Sequence, residues 1–167
     1  AVKFADIEAD TANIDPNEIE KQITPRTKAI IPVHFAGQSC DMERIQKIAK
    51  QHSLSQPTLT KSEGDSSQFT AHSSLYIIED AAHAIGSDYK NTKVGSCKYS
   101  DMTVFSFHPV KPITTGEGGA ITTNSKELYE KLLAFRSHGM HKEGEMTSNW
   151  KYEMRELGFN YRMTDIQ

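Results

Sequence analysis

An acid, an imidazole, a hydroxyl and an amine stand close together in the chain as Asp80, His83, Ser106 and Lys111. A lysine amine attacks a carbonyl only when neutral, so a reactive lysine must be desolvated or set beside another cation. One chemistry uses all four groups. The lysine forms an imine with pyridoxal phosphate, the carboxylate pairs with the protonated ring nitrogen, and hydroxyls and backbone amides take the phosphate.

Lys111 lies in VFSFHPVKPITTGEGGAITT, residues 104–123. Pro109 and Pro112 each fix φ near −65° and push the preceding residue out of helical geometry, which predicts stiff, extended backbone at His108 and Lys111. Gly116, Gly118 and Gly119 allow positive φ and close backbone approach. An average lysine is simply solvated; this framing sets Lys111 apart. His108 either serves Lys111 or packs, and Glu117 reads as structural.

The elements that must position these residues alternate between strand and helix. Residues 2–7 alternate apolar and polar and predict a strand. Asp15, Pro16 and Glu18 predict a helix start, with the helix running to about Ile23. Residues 28–34, KAIIPVH, form a short β-branched run of the buried parallel type. Asp41 then caps a second helix whose face is Met42, Ile45, Ile48 and Ala49. Residues 75–79 predict a buried strand ending at Asp80, and open α/β sheets bind ligands at the carboxyl ends of such strands. A hairpin is expected around Asn91, strands over 102–107 and 120–123, and a helix from a capping pair Asn124–Glu127 to about His138 and Gly139. Residues 142–150 read as loop and residues after Thr164 as a helix start. The pattern predicts an α/β fold with a mostly parallel sheet. Residues 51–74, rich in Ser, Thr and Gln, predict an exposed, mobile insertion carrying solvated His52 and His72.

The 167 residues suffice for one domain with a real core. A net charge of −3 without a basic block argues against nucleic-acid or anionic-membrane partners. No apolar run predicts a membrane span. Cys40 and Cys97 suggest neither a disulfide framework nor a metal site, which fits a reducing cytoplasm. His138 and His141 lack the partners a metal would need.

EDAAHAIGSDYKNTKVGS, FSFHPVK, TGEGGAITT, RSHGM and LGFNYRMTDIQ, in this order, resemble the DegT/DnrJ/StrS family of pyridoxal-phosphate sugar aminotransferases. PVHFAGQSCDM and SFHPVKPITTGEGG are similar to the subgroup that makes a 4-amino-sugar precursor of pseudaminic acid. The resemblance implies part of the large domain of a fold type I, aspartate-aminotransferase-like enzyme, with active sites shared across a homodimer. It implies Lys111 as the Schiff-base lysine and general acid/base, Asp80 on the pyridine nitrogen, His83 against the ring or its phenolic oxygen, and Ser106 on the phosphate. Asn160 and Arg162 match residues that reach the partner subunit's site.

The family's upstream phosphate loop and C-terminal small domain find no counterpart here. The chain thus reads as an excised middle piece, expected to be inactive alone. The implied reaction moves an amine, from glutamate, onto a nucleotide-linked 4-keto-6-deoxy sugar in the cytoplasm. Two alternatives stand beside it. One is a pyridoxamine-dependent sugar dehydratase of the same family, against which Lys111 speaks, since those carry histidine there. The other is a non-catalytic regulator or binding protein that kept the fold.

Overall fold

The structure, a computed structural model, describes residues 1–55, 75–142 and 152–167. Residues 2–6 do not form the expected strand. Ile7 makes one antiparallel bridge to Ile14, and Val2 and Phe4 are exposed. The chain instead doubles back at once, with Ala12 N–H donating to the Glu8 carbonyl and Asp15 N–H to the Asp6 carbonyl. Alternation gives a segment a strand-like surface, but a strand also needs a partner edge.

The first helix, α1 (Pro16–Gln22), starts as the sequence predicts. Asp15 caps it by accepting from Asn17 N–H, and Pro16 occupies the first turn, where its missing N–H costs nothing. Strand β1 (Ala29–Ile30) is short because Pro32 cannot donate to a ladder. Parallel contact nevertheless continues to His34, whose N–H donates to the Asp80 carbonyl at 3.0 Å, while Asp80 N–H donates to the Pro32 carbonyl at 2.9 Å.

A 3₁₀ turn (Phe35–Gly37) leads to α2 (Met42–Ser55). Asp41 Oδ1 accepts from Arg44 N–H at this helix start. The predicted face of α2 is the core: Met42, Ile45, Ile48 and Ala49 pack with Ile19, Ile30, Leu75 and Ile77. Each large aliphatic side chain buried there is worth about 1.5–3 kcal/mol. Because α2 continues to Ser55, the first five residues of the 51–74 stretch, His52 included, are helical. The rest of that stretch, with His72, lies outside the described residues.

Strand β2 (Tyr76–Asp80) is followed by a hairpin of β3 (Asp88–Tyr89) and β4 (Thr92–Lys93). Lys90 and Asn91 at its tip both have positive φ, as a two-residue turn of type I′ requires. Then come β5 (Met102–Ser106), β6 (Gly119–Thr122) and α3 (Lys126–Arg136). Strand β7 (Met140–Lys142) pairs antiparallel with β8 (Tyr152–Met154), so Lys142, expected in a loop, ends a strand. The remaining residues of that expected loop lie outside the described ones.

The helix cap of α3 is Ser125, not Asn124. Ser125 Oγ accepts from Leu128 N–H, whereas the Asn124 amide donates to the carbonyls of Ser96 and Cys97. Asn124 is engaged in holding a neighbouring loop, which leaves the cap to the next residue. Glu127 pairs with Lys131 one turn on.

The main sheet has the order β1-β2-β5-β6. The first three strands are parallel and β6 runs antiparallel to β5, so the sheet is mostly parallel, as predicted. Among the described residues no helix is long and apolar enough to cross a membrane.

Cys40 is buried where α2 begins, its Sγ donating to the Val33 carbonyl at 3.1 Å. Burial pushes its thiol up to about 12, and a thiol is nucleophilic only as thiolate. Cys40 should therefore resist iodoacetamide at pH 8 until the protein is unfolded. Alkylation of Cys40 in the native protein at the rate of a free thiol, read by peptide mass, would contradict this packing.

Candidate active site

Strands β2 and β5 end side by side, with Asp80 opposite Val104. Alternation along β2 turns Ile77 and Glu79 into the core and leaves Asp80 half-buried on the other face. Asp80 is held at several atoms. Its backbone bridges Pro32 and His34, and Ala82 N–H donates to Oδ1 at 3.0 Å. The carboxylate thus closes the turn after the strand and is fixed in rotation by doing so.

His83 follows in a loop anchored by buried Ala81 and Ala84. Gly37, at φ +86°, presses against this loop: a Cβ there would lie 2.9 Å from the His83 carbonyl oxygen. Only glycine allows both the backbone angle and the approach.

Lys111 Nζ lies 2.9 Å from His83 Nε2. Its backbone is not extended, as the two prolines suggested. Lys111 N–H donates to the His108 carbonyl at 2.9 Å, closing a turn in which Pro109 takes the second position. Proline favours that position because its φ is already right. Ser106 Oγ accepts from His108 N–H at 3.3 Å, at the start of the same turn. His108 itself packs locally: Nδ1 accepts from Val110 N–H, and Nε2 stands 3.9 Å from Glu117 Oε1. The loop is closed at its base by Phe107, whose N–H donates to the Gly118 carbonyl and whose carbonyl accepts from Thr115 N–H. Gly118, at φ +157°, disfavours a side chain, since a Cβ would fall 2.5 Å from Thr115 Oγ1 and force that hydroxyl to move.

Asn160 and Arg162 stand on a segment laid along the end of α3. Phe159 N–H donates to the Phe135 carbonyl, His138 N–H to the Phe159 carbonyl and Tyr161 N–H to the Arg136 carbonyl. Both side chains are exposed. Among the described residues neither makes a hydrogen bond or ion pair with Asp80, His83, Ser106 or Lys111. Residues 163–167 reach the glycine loop, with Met163 beside Gly118 and Gln167 Nε2 donating to the Glu117 carbonyl at 2.5 Å. The expected helix start after Thr164 is a single turn here, Gln167 N–H donating to the Thr164 carbonyl. His141 pairs with Glu156 at 2.8 Å, and no metal-holding cluster occurs among the described residues.

Sequence reasoning missed one cluster, directly behind Asp80. His34 and Thr103 are fully buried and Glu79 nearly so. His34 Nδ1 accepts from Cys40 N–H at 3.1 Å, which places the ring proton on Nε2, and Nε2 donates to Glu79 Oε2 at 2.7 Å. The hydroxyls of Thr103, at 2.8 Å, and Ser100 donate to Oε1. Burial pushes the Glu79 carboxyl up, but the hydrogen bonds from His34, Ser100 and Thr103 outweigh it and hold the carboxyl below the ordinary range. The available signal was a glutamate at an inward position of an otherwise apolar strand.

The sequence pattern of the DegT/DnrJ/EryC1/StrS aminotransferase family matches residues 1–56 and 66–167. The chain belongs to this family. A relative from Helicobacter pylori, UDP-4-amino-4,6-dideoxy-N-acetyl-beta-L-altrosamine transaminase, is 43% identical over 98% of the chain and 36% of its own length. The solved structure of Helicobacter pylori PseC, an aminotransferase involved in pseudoaminic acid biosynthesis, superposes with a TM-score of 0.78 at 41% identity, over 98% of this chain and 37% of that one. The PLP-form of Spr1654 from Streptococcus pneumoniae gives 0.77 at 34% identity over 97% of this chain and 39% of that one. The chain thus spans less than two fifths of these relatives, and its fold is that part of the sugar-aminotransferase fold.

Proposed function

We propose that the protein carrying this chain is a pyridoxal-phosphate-dependent aminotransferase that moves an amino group from glutamate to a nucleotide-linked 4-keto-6-deoxy sugar. The observation that carries the reading is the Lys111–His83 contact beside the Asp80 strand end. An amine, an imidazole, a carboxylate and a hydroxyl at the carboxyl end of the two central strands suit a group that presents an aldehyde, a basic ring nitrogen and a phosphate. When bound, pyridoxal phosphate supplies an electron sink for the carbon that gains or loses the amine.

Lys111 would hold the aldehyde carbon, Asp80 the protonated ring nitrogen and Ser106 the phosphate. His83, next to Lys111, would lie against the ring or its phenolic oxygen. Lys111 Nζ would move the proton at the reacting carbon, with His83 Nε2 standing 2.9 Å from it. The chain, residues 1–167, is read as part of the large domain of a cytoplasmic enzyme. Similarity to the Helicobacter pylori transaminase supports the substrate class.

Asn160 and Arg162 are assigned to the partner subunit's site in a homodimer. A planar guanidinium suits phosphate by donating two parallel hydrogen bonds. Mixing subunits of the whole protein carrying Arg162→Ala with subunits carrying Lys111→Ala should restore a fraction of active sites. Mixtures that regain no activity would refute the cross-subunit role. The function itself is tested by incubating the whole protein with pyridoxal phosphate, glutamate and a UDP-linked 4-keto-6-deoxy sugar. Formation of the 4-amino sugar together with 2-oxoglutarate supports it, and failure with every nucleotide-linked keto-sugar overturns it.

A further inference from the structure

We propose that His34 and Glu79 form a positioning pair that sets the place of Asp80, an inference that rests on the cofactor reading above. His34 grips the end of β2 in two ways. Its backbone N–H donates to the Asp80 carbonyl at 3.0 Å, and its ring donates to the carboxylate of the preceding residue, Glu79, at 2.7 Å. The ring is itself fixed by Cys40 N–H at the entry to α2. Glu79 ties the same point to β5 through Thr103 and to the preceding loop through Ser100.

Three elements and a loop are thus joined behind one residue, with no buried side-chain polar atom left unsatisfied among the described residues. Asp80 and Glu79 face opposite sides of the sheet, so a shift of the Glu79 carboxylate is transmitted along one peptide unit to the Asp80 carboxylate. Such supporting contacts fix the geometry of groups that touch a ligand. Neither His34 nor Glu79 needs to touch the cofactor to act.

The test uses the whole protein loaded with pyridoxal phosphate and reads the cofactor's visible absorption and circular-dichroism spectrum per bound molecule, together with its dissociation constant. Asp80→Asn defines the spectral change that follows loss of the ring-nitrogen partner. His34→Ala and Glu79→Ala should move the spectrum in that same direction and weaken binding roughly tenfold, the scale on which outer-shell partners act in metal sites. Glu79→Gln, which keeps an acceptor for the His34 ring, should restore most of both.

Ile48→Ala loosens the same core without touching the network, and should lower stability while leaving the spectrum unchanged. If the alanine variants do not fold, the Gln variant and His34→Gln decide, with a smaller shift in the same direction expected. Spectra identical to the unsubstituted protein in every folded variant at these two positions would overturn the positioning role while leaving the cofactor reading intact. A shift of equal size in Ile48→Ala would overturn it too. Absence of any cofactor band in the unsubstituted protein would overturn the cofactor reading and this role with it.

Discussion

Replacing Lys111 with alanine should reduce amino transfer by on the order of 1,000-fold or more, since the proposed function gives this one residue both the hold on the cofactor and the proton transfer. Phosphate binding through Ser106 should partly survive, so the variant should still take up cofactor, with a changed spectrum. Added small primary amines should restore slow turnover in Lys111→Ala by standing in for the lost Nζ. They should not help Lys111→Arg, because a guanidinium stays charged, cannot attack an aldehyde and fills the space. Steady-state rates with and without added methylamine check this. Undiminished turnover in Lys111→Ala would remove the lysine from the mechanism.

The second large effect concerns stability. Glu79→Ala should cost about 3 kcal/mol or more, because the buried donors of His34 and Thr103 lose their acceptor at roughly 1–3 kcal/mol each, and half-buried Ser100 loses a further bond. The His34 ring proton suffers most, since a hydroxyl can turn to another partner and an imidazole held by Cys40 cannot. The shift of the urea midpoint measures it.

The same residue makes stability depend on pH. Its carboxyl is held below the ordinary range in the folded state, so its contribution is complete above the unfolded value of about 4.3. That contribution is lost as pH falls through the folded value. Glu79→Gln, which cannot titrate, should therefore flatten stability against pH below about 4.3. An unchanged acid profile in that variant would mean another group carries the effect.

Much of this arrangement was legible because local chemistry decides it. Asp15 and Pro16 make a helix start wherever they occur together, and Lys90 and Asn91 make a tight hairpin possible. The face of α2 follows from the spacing of Met42, Ile45, Ile48 and Ala49. The candidate site drew notice through its residue types, because an acid and a hydroxyl at neighbouring strand ends with an amine in the following turn form an uncommon set.

What escaped reading depends on partners distant in sequence. Residues 2–6 alternate but meet no strand. Asn124 looks like a cap until the carbonyls of Ser96 and Cys97 claim its amide. Lys111 is held by a turn because Pro109 fits the second position of a turn as well as it fits extended backbone. The joining of His34 to Glu79 spans 45 residues, and a histidine and a glutamate in two separate apolar runs give no local sign that they meet.

The central claim is that Lys111 is the residue on which the cofactor is carried, and one measurement addresses it directly. The whole protein is loaded with pyridoxal phosphate, treated with borohydride, digested and mapped by peptide mass. A pyridoxyl group on the peptide containing Lys111, and its loss in Lys111→Ala, is the result expected here. A pyridoxyl group on any other lysine in its place would contradict the account.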